Sequence, residues 1–345
     1  MTRHRHKYQA RPNSGHWQYI FRSRCCWIIF VLVIINTLLL TACAAETNRT
    51  WNIALLVKSS ESDFFQTVKL GAEAAGKEYN ADVRFTGPAS ESEIQEQIRM
   101  LYEMIESDNK PDVLLLAAAD VEALAEPAQA AIDAGVPVIT VDSGVNLDSV
   151  SSVIETDNLA VGNQLGHAVA DAVDGKATIL LVNFVAGTST AEAREQGFLD
   201  AVADYKDIEI ANIVFCNSQE QLARELVHEQ LALKPDINVV VGLNAHGTIG
   251  AGRAILDRAS MGIDDNIRLF GVDSTPEEVL HLDRGTLEAT VIQNPYAMGY
   301  FGVQQAVKLL QKEKIDKLTY TDSVLITREN MYAPENQKLV FPLVE

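Results

Sequence analysis

Cysteine is scarce in this chain of 345 residues, and three of the four, Cys25, Cys26 and Cys43, fall within its first 43 positions. Cys216 stands alone in the rest, which excludes an internal disulfide framework. It follows the apolar run Ile213-Val214-Phe215 and reads as a small buried hydrophobe. The seven histidines show no His-Glu-x-x-His or comparable spacing, so no metal site is predicted. No Gly-x-Gly-x-x-Gly follows the first apolar run of the main body, where Lys58-Ser59-Ser60-Glu61-Ser62 stands instead. Dinucleotide binding is thereby unsupported. Gly-Lys-Ser, Gly-Lys-Thr and Gly-x-Ser-x-Gly are absent too, which removes Walker-type loops and nucleophile elbows. No cofactor is expected.

Positive charge is also short. Six of the 28 Lys and Arg residues lie in residues 1–42, which hold no acidic one, leaving 22 against 47 Asp and Glu beyond. A body that acidic repels phosphate backbones, so no nucleic-acid partner is expected.

The leader concentrates what the rest lacks. Arg22 and Arg24 precede an uncharged, apolar stretch that ends at Leu40-Thr41-Ala42-Cys43. A basic segment, an apolar core and a small-residue site are the features of a secretory signal. With Leu three positions before Cys43, the tetrad resembles a bacterial lipobox, which implies cleavage before Cys43 and lipid attachment there. The competing reading is a membrane-spanning anchor: residues 25–45 are uncharged, a length near the roughly 20 residues a bilayer requires, although Asn36 and Thr37 interrupt it. Either reading places the bulk of the chain outside the cytoplasmic membrane. Residues 43–50 form a short tether.

From Asn52 onward, short apolar runs alternate with helical patterns. Ile53-Ala54-Leu55-Leu56-Val57 predicts a buried strand, and Phe64, Val68, Ala72, Ala75 and Tyr79 then recur at helical spacing. Further strands are expected at 82–86, 113–117 and 136–141. Pro127 either starts a helix or kinks one within 121–134. The rhythm restarts after about Asp157, with strands at 177–183, 208–215, 239–242, 267–272, 289–293 and 323–327. Two-sided apolar strands alternating with helices predict α/β architecture, here two doubly wound parallel-sheet, Rossmann-like lobes. About 300 residues exceed a single core, in agreement with two lobes.

In open parallel sheets, ligands bind beyond the carboxyl ends of the strands. At those ends, or just past them, stand Phe64 and Phe65, Asp142, Asp157, Arg194, Asn244, Asp273 and Gln293. Most bear flat, forked polar groups that can hold two adjacent hydroxyls, and an aromatic ring can cover a sugar's C–H face. Phe64 and Phe65 are adjacent, so one is expected to face the cleft and the other to anchor the core. Asp157 reads as a helix cap. Asn244 fits an N-cap as well as a ligand group, Gln293 a hinge residue, and Arg194 a partner of Glu195 or Asp200. Lys58 reads as a surface or rim charge. Asp142 and Asp273 could in principle form a glycosidase pair, but groups that hold hydroxyls need no reactive geometry, and no activated nucleophile is visible. No enzyme is predicted.

Across residues 51 to about 325 the chain resembles the ribose- and galactose-type periplasmic sugar-binding proteins of ABC importers. The matching stretches are Lys58-Ser59-Ser60 with Asp63-Phe64-Phe65, the run Gly135 through Asp142, Glu155-Thr156-Asp157-Asn158, and Ala186-Gly187-Thr188-Ser189 with Arg194-Glu195-Gln196-Gly197-Phe198. They continue through Lys234-Pro235-Asp236, Asn244, Gly271-Val272-Asp273-Ser274-Thr275-Pro276 and Ala289-Thr290-Val291-Ile292-Gln293. The resemblance implies the type I periplasmic-binding-protein fold, with a sugar cleft lined by Phe64, Phe65, Asp142, Arg194, Asn244, Asp273 and Gln293. It implies a hinge of three crossings near residues 145–156, 293–295 and 321–325. The N-terminal lobe then holds 51–156 and 294–322, and the C-terminal lobe 157–293 and 323–345. A monomer that delivers a monosaccharide or related polyol to an ABC permease is the implied role; sensing through a membrane histidine kinase or chemoreceptor is the alternative. A lactose-repressor-type core shares the architecture, but a leader stands where a helix-turn-helix would. The chain departs from the family at Ser143, where Arg often stands, at Ala245-His246 in place of Asp-Glu, and in lacking an aromatic at 217–221. These positions leave the sugar's identity open.

Overall fold

The computed structural model describes residues 49–263 and 266–341, so the leader and Cys43 lie outside the described residues. The chain divides into Met1–Thr50 and Trp51–Glu345, and the strands and helices described all lie in the second unit. Among the described residues, no helix is long and apolar enough to cross a membrane.

Branched aliphatic runs set the strands. β3 (Val113–Leu116) and β4 (Val138–Val141) are buried at every position, as strands between two helical layers must be. With β1 (Trp51–Leu56), β2 (Ala81–Thr86), β5 (Ser152–Thr156) and β11 (Leu318–Thr321) they form a six-stranded parallel sheet in the order β11-β5-β4-β3-β1-β2. The pleat sends Ile53 and Leu55 into one core and Ala54 and Leu56 into another, on opposite faces of that sheet.

The second sheet repeats the plan. β6 (Lys176–Asn183), β7 (Asp207–Phe215), β8 (Val239–Gly242), β9 (Arg268–Val272) and β10 (Leu287–Ile292) are parallel. β12 (Val324–Thr327) joins antiparallel to β10, giving β12-β10-β9-β8-β6-β7. Cys216 lies fully buried in this lobe, and burial pushes its thiol up to about 11, which suits an inert packing role.

Two strands escaped the sequence pattern. Residues 152–156, expected to be part of a hinge, form β5, and residues 318–321 form β11; both mix polar with apolar residues. The chain therefore leaves the first sheet at Asp157. It returns after β10 through Asn294, and leaves again between β11 and β12. Pro127 stands in the first turn of the helix over Ala125–Asp133, where a missing N–H costs no intrahelical bond.

Helices α1 (Asp63–Tyr79), α2 (Ile94–Glu106), α3 (Ala125–Asp133) and α9 (Pro295–Leu310) cover the first sheet. α4 (Asn158–Ala172), α5 (Ser189–Val202), α6 (Glu220–Leu233), α7 (Ala245–Ser260) and α8 (Pro276–Arg284) cover the second, with α10 (Gln337–Val340) beside it. The helix that comes after each of the first two crossings packs on the helix carrying predicted site residues. α9 lies against α1 so closely that a Cβ at Gly299 would overlap the Val68 carbonyl oxygen. α4 lies equally close to α5, where a Cβ at Gly162 would overlap the carbonyl oxygen of Arg194. Glycine is required at both contacts because backbone meets backbone.

Gly162→Ala and Gly299→Ala should each destabilise the fold by about 1–3 kcal/mol through overpacking. Urea unfolding monitored by circular dichroism, with an unchanged slope, is the measurement.

Candidate ligand-binding site

Both sheets direct their strand carboxyl ends at one cavity of about 420 Å³, a volume suited to a small molecule. The seven predicted residues, Phe64, Phe65, Asp142, Arg194, Asn244, Asp273 and Gln293, all line it. They come from separate strand ends, from the first turn of α1 and from the second turn of α5, so only the fold brings them together.

On the first lobe, Asp142 directly follows β4 with φ of 67°, a left-handed conformation that costs energy in a non-glycine residue. Its Oδ2 accepts a hydrogen bond of 2.9 Å from Ser143 Oγ and pairs at 2.9 Å with Lys58 Nζ. Lys58 Nζ also donates to Ser143 Oγ at 2.9 Å. The expected rim charge is thus a correction: Lys58 is 3% exposed and lines the cavity. Burial alone favours deprotonation of its ammonium. Asp142 and Glu91 outweigh that effect, so the net shift is upward and the charge is kept. Phe65 belongs to the core, with its ring 5.6 Å from Lys58 Nζ. Phe64 is half-buried and meets Phe65 edge-on, centroids 5.2 Å apart. A buried amide holds this end of the sheet in register. Gln97 donates to the carbonyls of Val57 and Ala117 at 3.0 and 2.7 Å and accepts from Ala119 N.

On the second lobe, Arg194 is not the solvated partner of Glu195 or Asp200. Its Nε donates to Asn158 Oδ1 at 2.9 Å and its Nη1 to the Leu243 carbonyl at 2.8 Å. Phe184 lies beneath it, the guanidinium carbon 5.5 Å from the ring centroid. Asn244 is the N-cap of α7, its Oδ1 accepting from Gly247 N, and its Nδ2 donates to Ser218 Oγ at 3.2 Å. Asp273, after β9, has φ of 89° and accepts from Ala245 N at 3.1 Å and from Gln293 Nε2 at 2.6 Å. Behind it, burial first and the Asp273 charge second hold the Glu278 carboxyl well above the usual carboxylate range. Asp157 caps α4 through Ala160 N. Among the described residues, no group of three or more His, Cys, Asp or Glu is placed to hold a metal ion.

Sequence reading missed Phe184 and Glu91. Phe184 directly follows β6, and the strand-end rule that selected the other residues also selects it; it supplies a ring to a cleft that lacks one at 217–221. Glu91, in the β2–α2 loop, has no such signal. It is 7% exposed, and its Oε2 accepts from Ser218 Oγ of the other lobe at 2.7 Å. A second inter-lobe bond runs from Val121 N to the Gly187 carbonyl at 3.0 Å.

Two doubly wound lobes facing one polar cavity define a two-lobed solute-binding protein. The chain belongs to the periplasmic binding protein domain family, whose model matches residues 53–314. It is 29% identical over 279 residues to the ribose import binding protein RbsB of Escherichia coli, covering 80% of this chain and 90% of that one. A solute-binding protein from Agrobacterium vitis with bound D-fucose is 33% identical, with a TM-score of 0.79 over 84% of this chain and 99% of the other. A sugar transporter from Clostridium phytofermentans is 35% identical, with a TM-score of 0.73 over 81% and 99%. These relatives are binding and transport proteins, not enzymes, and the family works outside the cytoplasm.

Lys58→Met should cost about 3–5 kcal/mol, because it leaves a buried carboxylate without its cation. Adding Asp142→Asn should recover much of that loss in denaturant titrations. Glu155 of β5, beside Asp142 and Asp157, supplies a pH test. Burial, then those two charges, raise its carboxyl to about 7. Its contribution to stability is present in full below its ordinary value of 4.5 and disappears as pH rises through about 7. Glu155→Gln should therefore stabilise the fold by about 3 kcal/mol above pH 7 and leave it unchanged below pH 4.

Proposed function

We propose that this chain is an extracytoplasmic solute receptor that captures a monosaccharide or related polyhydroxylated molecule by lobe closure and delivers it to an ABC permease. The observation that carries the reading is the convergence of forked polar groups from both lobes on one cavity. Asp142 and Lys58 stand on one wall; Arg194, Asn244 and Asp273 stand on the other, with Gln293 at a crossing. Carboxylate, guanidinium and carboxamide groups match paired hydroxyls, and Phe64 with Phe184 offers apolar surface to a ring's C–H bonds. Relatives named for ribose import and one holding D-fucose agree with this ligand class. Micromolar affinity needs about −8 kcal/mol, which over roughly twelve heavy atoms lies well under the per-atom ceiling.

Closure arises from contacts that exist only when the lobes meet. Ligand bridging Asp142 and Asp273 stabilises the closed form selectively and shifts the population toward it. The Glu91–Ser218 bond adds to the same state. The closed lobes then present a joint surface to the permease. The Leu40-Thr41-Ala42-Cys43 sequence supports export, cleavage and lipid anchoring at Cys43, which keeps the receptor beside its partner.

Calorimetry against pentoses, hexoses, polyols and nucleosides tests the reading. One of them should bind, and Arg194→Ala and Asp273→Ala should each weaken it about 10- to 100-fold by removing charged hydrogen bonds. Undiminished affinity in both variants would refute the site. Cys43→Ala should abolish incorporation of labelled fatty acid, and persistence of the label would refute the anchor.

A further inference from the structure

The charged groups around the cavity do not balance. Three buried carboxylates line it, Glu91, Asp142 and Asp273, at 7%, 3% and 8% exposed, against two buried cations, Lys58 and Arg194; Glu61 and Asp63, also in the lining, are exposed to solvent. Lys58 pairs with Asp142. Arg194 bonds to neutral oxygens of Asn158 and Leu243 and, among the described residues, forms no ion pair. At the rim, Glu220 and Glu277 are already bound by Arg253 at 2.6 and 2.5 Å. Buried charge without a partner is costly, so a surplus carboxylate requires an outside cation or a strong local field. The N-terminus of α7, against Asp273, supplies about half a unit charge and covers only part of the surplus.

The hydrogen-bonding inventory points the same way. A carboxylate only accepts, so Gln293 must present its Nε2 to Asp273, which fixes the orientation of the amide. Among the described residues Gln293 Oε1 is then left without a donor, in a side chain only 2% exposed. The Asp273–Gln293 corner thus offers acceptors alone: that amide oxygen and the remaining lone pairs of Asp273. The two carboxylates not paired with Lys58 flank a single step of chain. Asn244 reaches Glu91 through Ser218, and the N–H of Ala245 holds Asp273. A hydroxyl brings one proton to such a place. An ammonium brings three, together with the missing charge.

We propose that the ligand carries a protonated amine, as an amino sugar or amino-cyclitol does, and that its ammonium docks at the Asp273–Gln293 corner. The inference rests on the cleft being a site for polyhydroxylated solutes and specifies which of them it prefers. The hydroxyls face Asp142, Lys58 and Arg194, and the amine sits between Asp273 and Gln293 Oε1.

The test is calorimetry on the full-length protein in a detergent without a sugar headgroup. Neutral hexoses, pentoses and inositol are each compared with counterparts bearing an amine at different carbons, at pH values below and above the amine's own pKa. At least one amino form should bind about tenfold or more tighter than its neutral parent at the lower pH. The advantage should vanish at the higher pH, on N-acetylation of the amine, and in Asp273→Asn. Neutral parents that bind as tightly as every amino counterpart would overturn the proposal and leave the polyol-binding function intact. Failure of every neutral and aminated compound to bind would overturn both.

Discussion

The buried ion pair between Lys58 and Asp142 is the constraint around which the cleft is arranged. Two charges taken out of water recover their lost hydration only when they meet closely and their remaining valences are filled. Here the contact is 2.9 Å, and Ser143 closes a triangle with both partners. The pair spans from the end of β1 to the end of β4, across β3, which lies between them in the sheet. It therefore fixes the spacing of the strand ends that form one wall. It also anchors the side chain of Asp142, whose backbone is in a left-handed conformation. The cation enters two strands away from Ser143, where the family resemblance implies an arginine, so a point donor takes the place of a planar fork.

The second lobe uses the same backbone device with different chemistry. Asp273 follows the corresponding strand, also at positive φ, but neutral amide donors hold it where Asp142 has a lysine. This asymmetry gives the two walls different appetites, one satisfied internally and one short of donors. Behind each wall the arrangement is again alike. The helix after a crossing presses on the helix that carries predicted site residues, α9 on α1 and α4 on α5, through glycines that bring backbones into contact. Asn158, at the start of α4, holds the guanidinium of Arg194 directly. The helices that follow the crossings are thereby packed directly against the segments that face the cavity.

Much of this was legible in the chain. Runs such as Ile53-Ala54-Leu55-Leu56 can be satisfied only between two helical layers, and their alternation with amphipathic helices leaves few architectures open. The polar residues just past those runs then mark the cleft, since strand ends in parallel sheets converge there. The strands that escaped, β5 and β11, have mixed composition because one covers the sheet's margin and the other borders a crossing. Their pairing is long-range, joining Val153 to Leu318, and leaves no local periodicity to read.

Local pattern by itself determined the two lobes, the strand ends and the identity of the forked polar groups, because burial periodicity and strand polarity act over a few residues. Which charges are paired was decided only in three dimensions. Lys58 looks like a surface residue in sequence and becomes the counter-ion of a residue 84 positions away. Glu91 and Ser218 acquire a role only when two lobes meet. Electrostatic partnership depends on distances of a few ångströms between remote segments, and no short-range pattern encodes those distances.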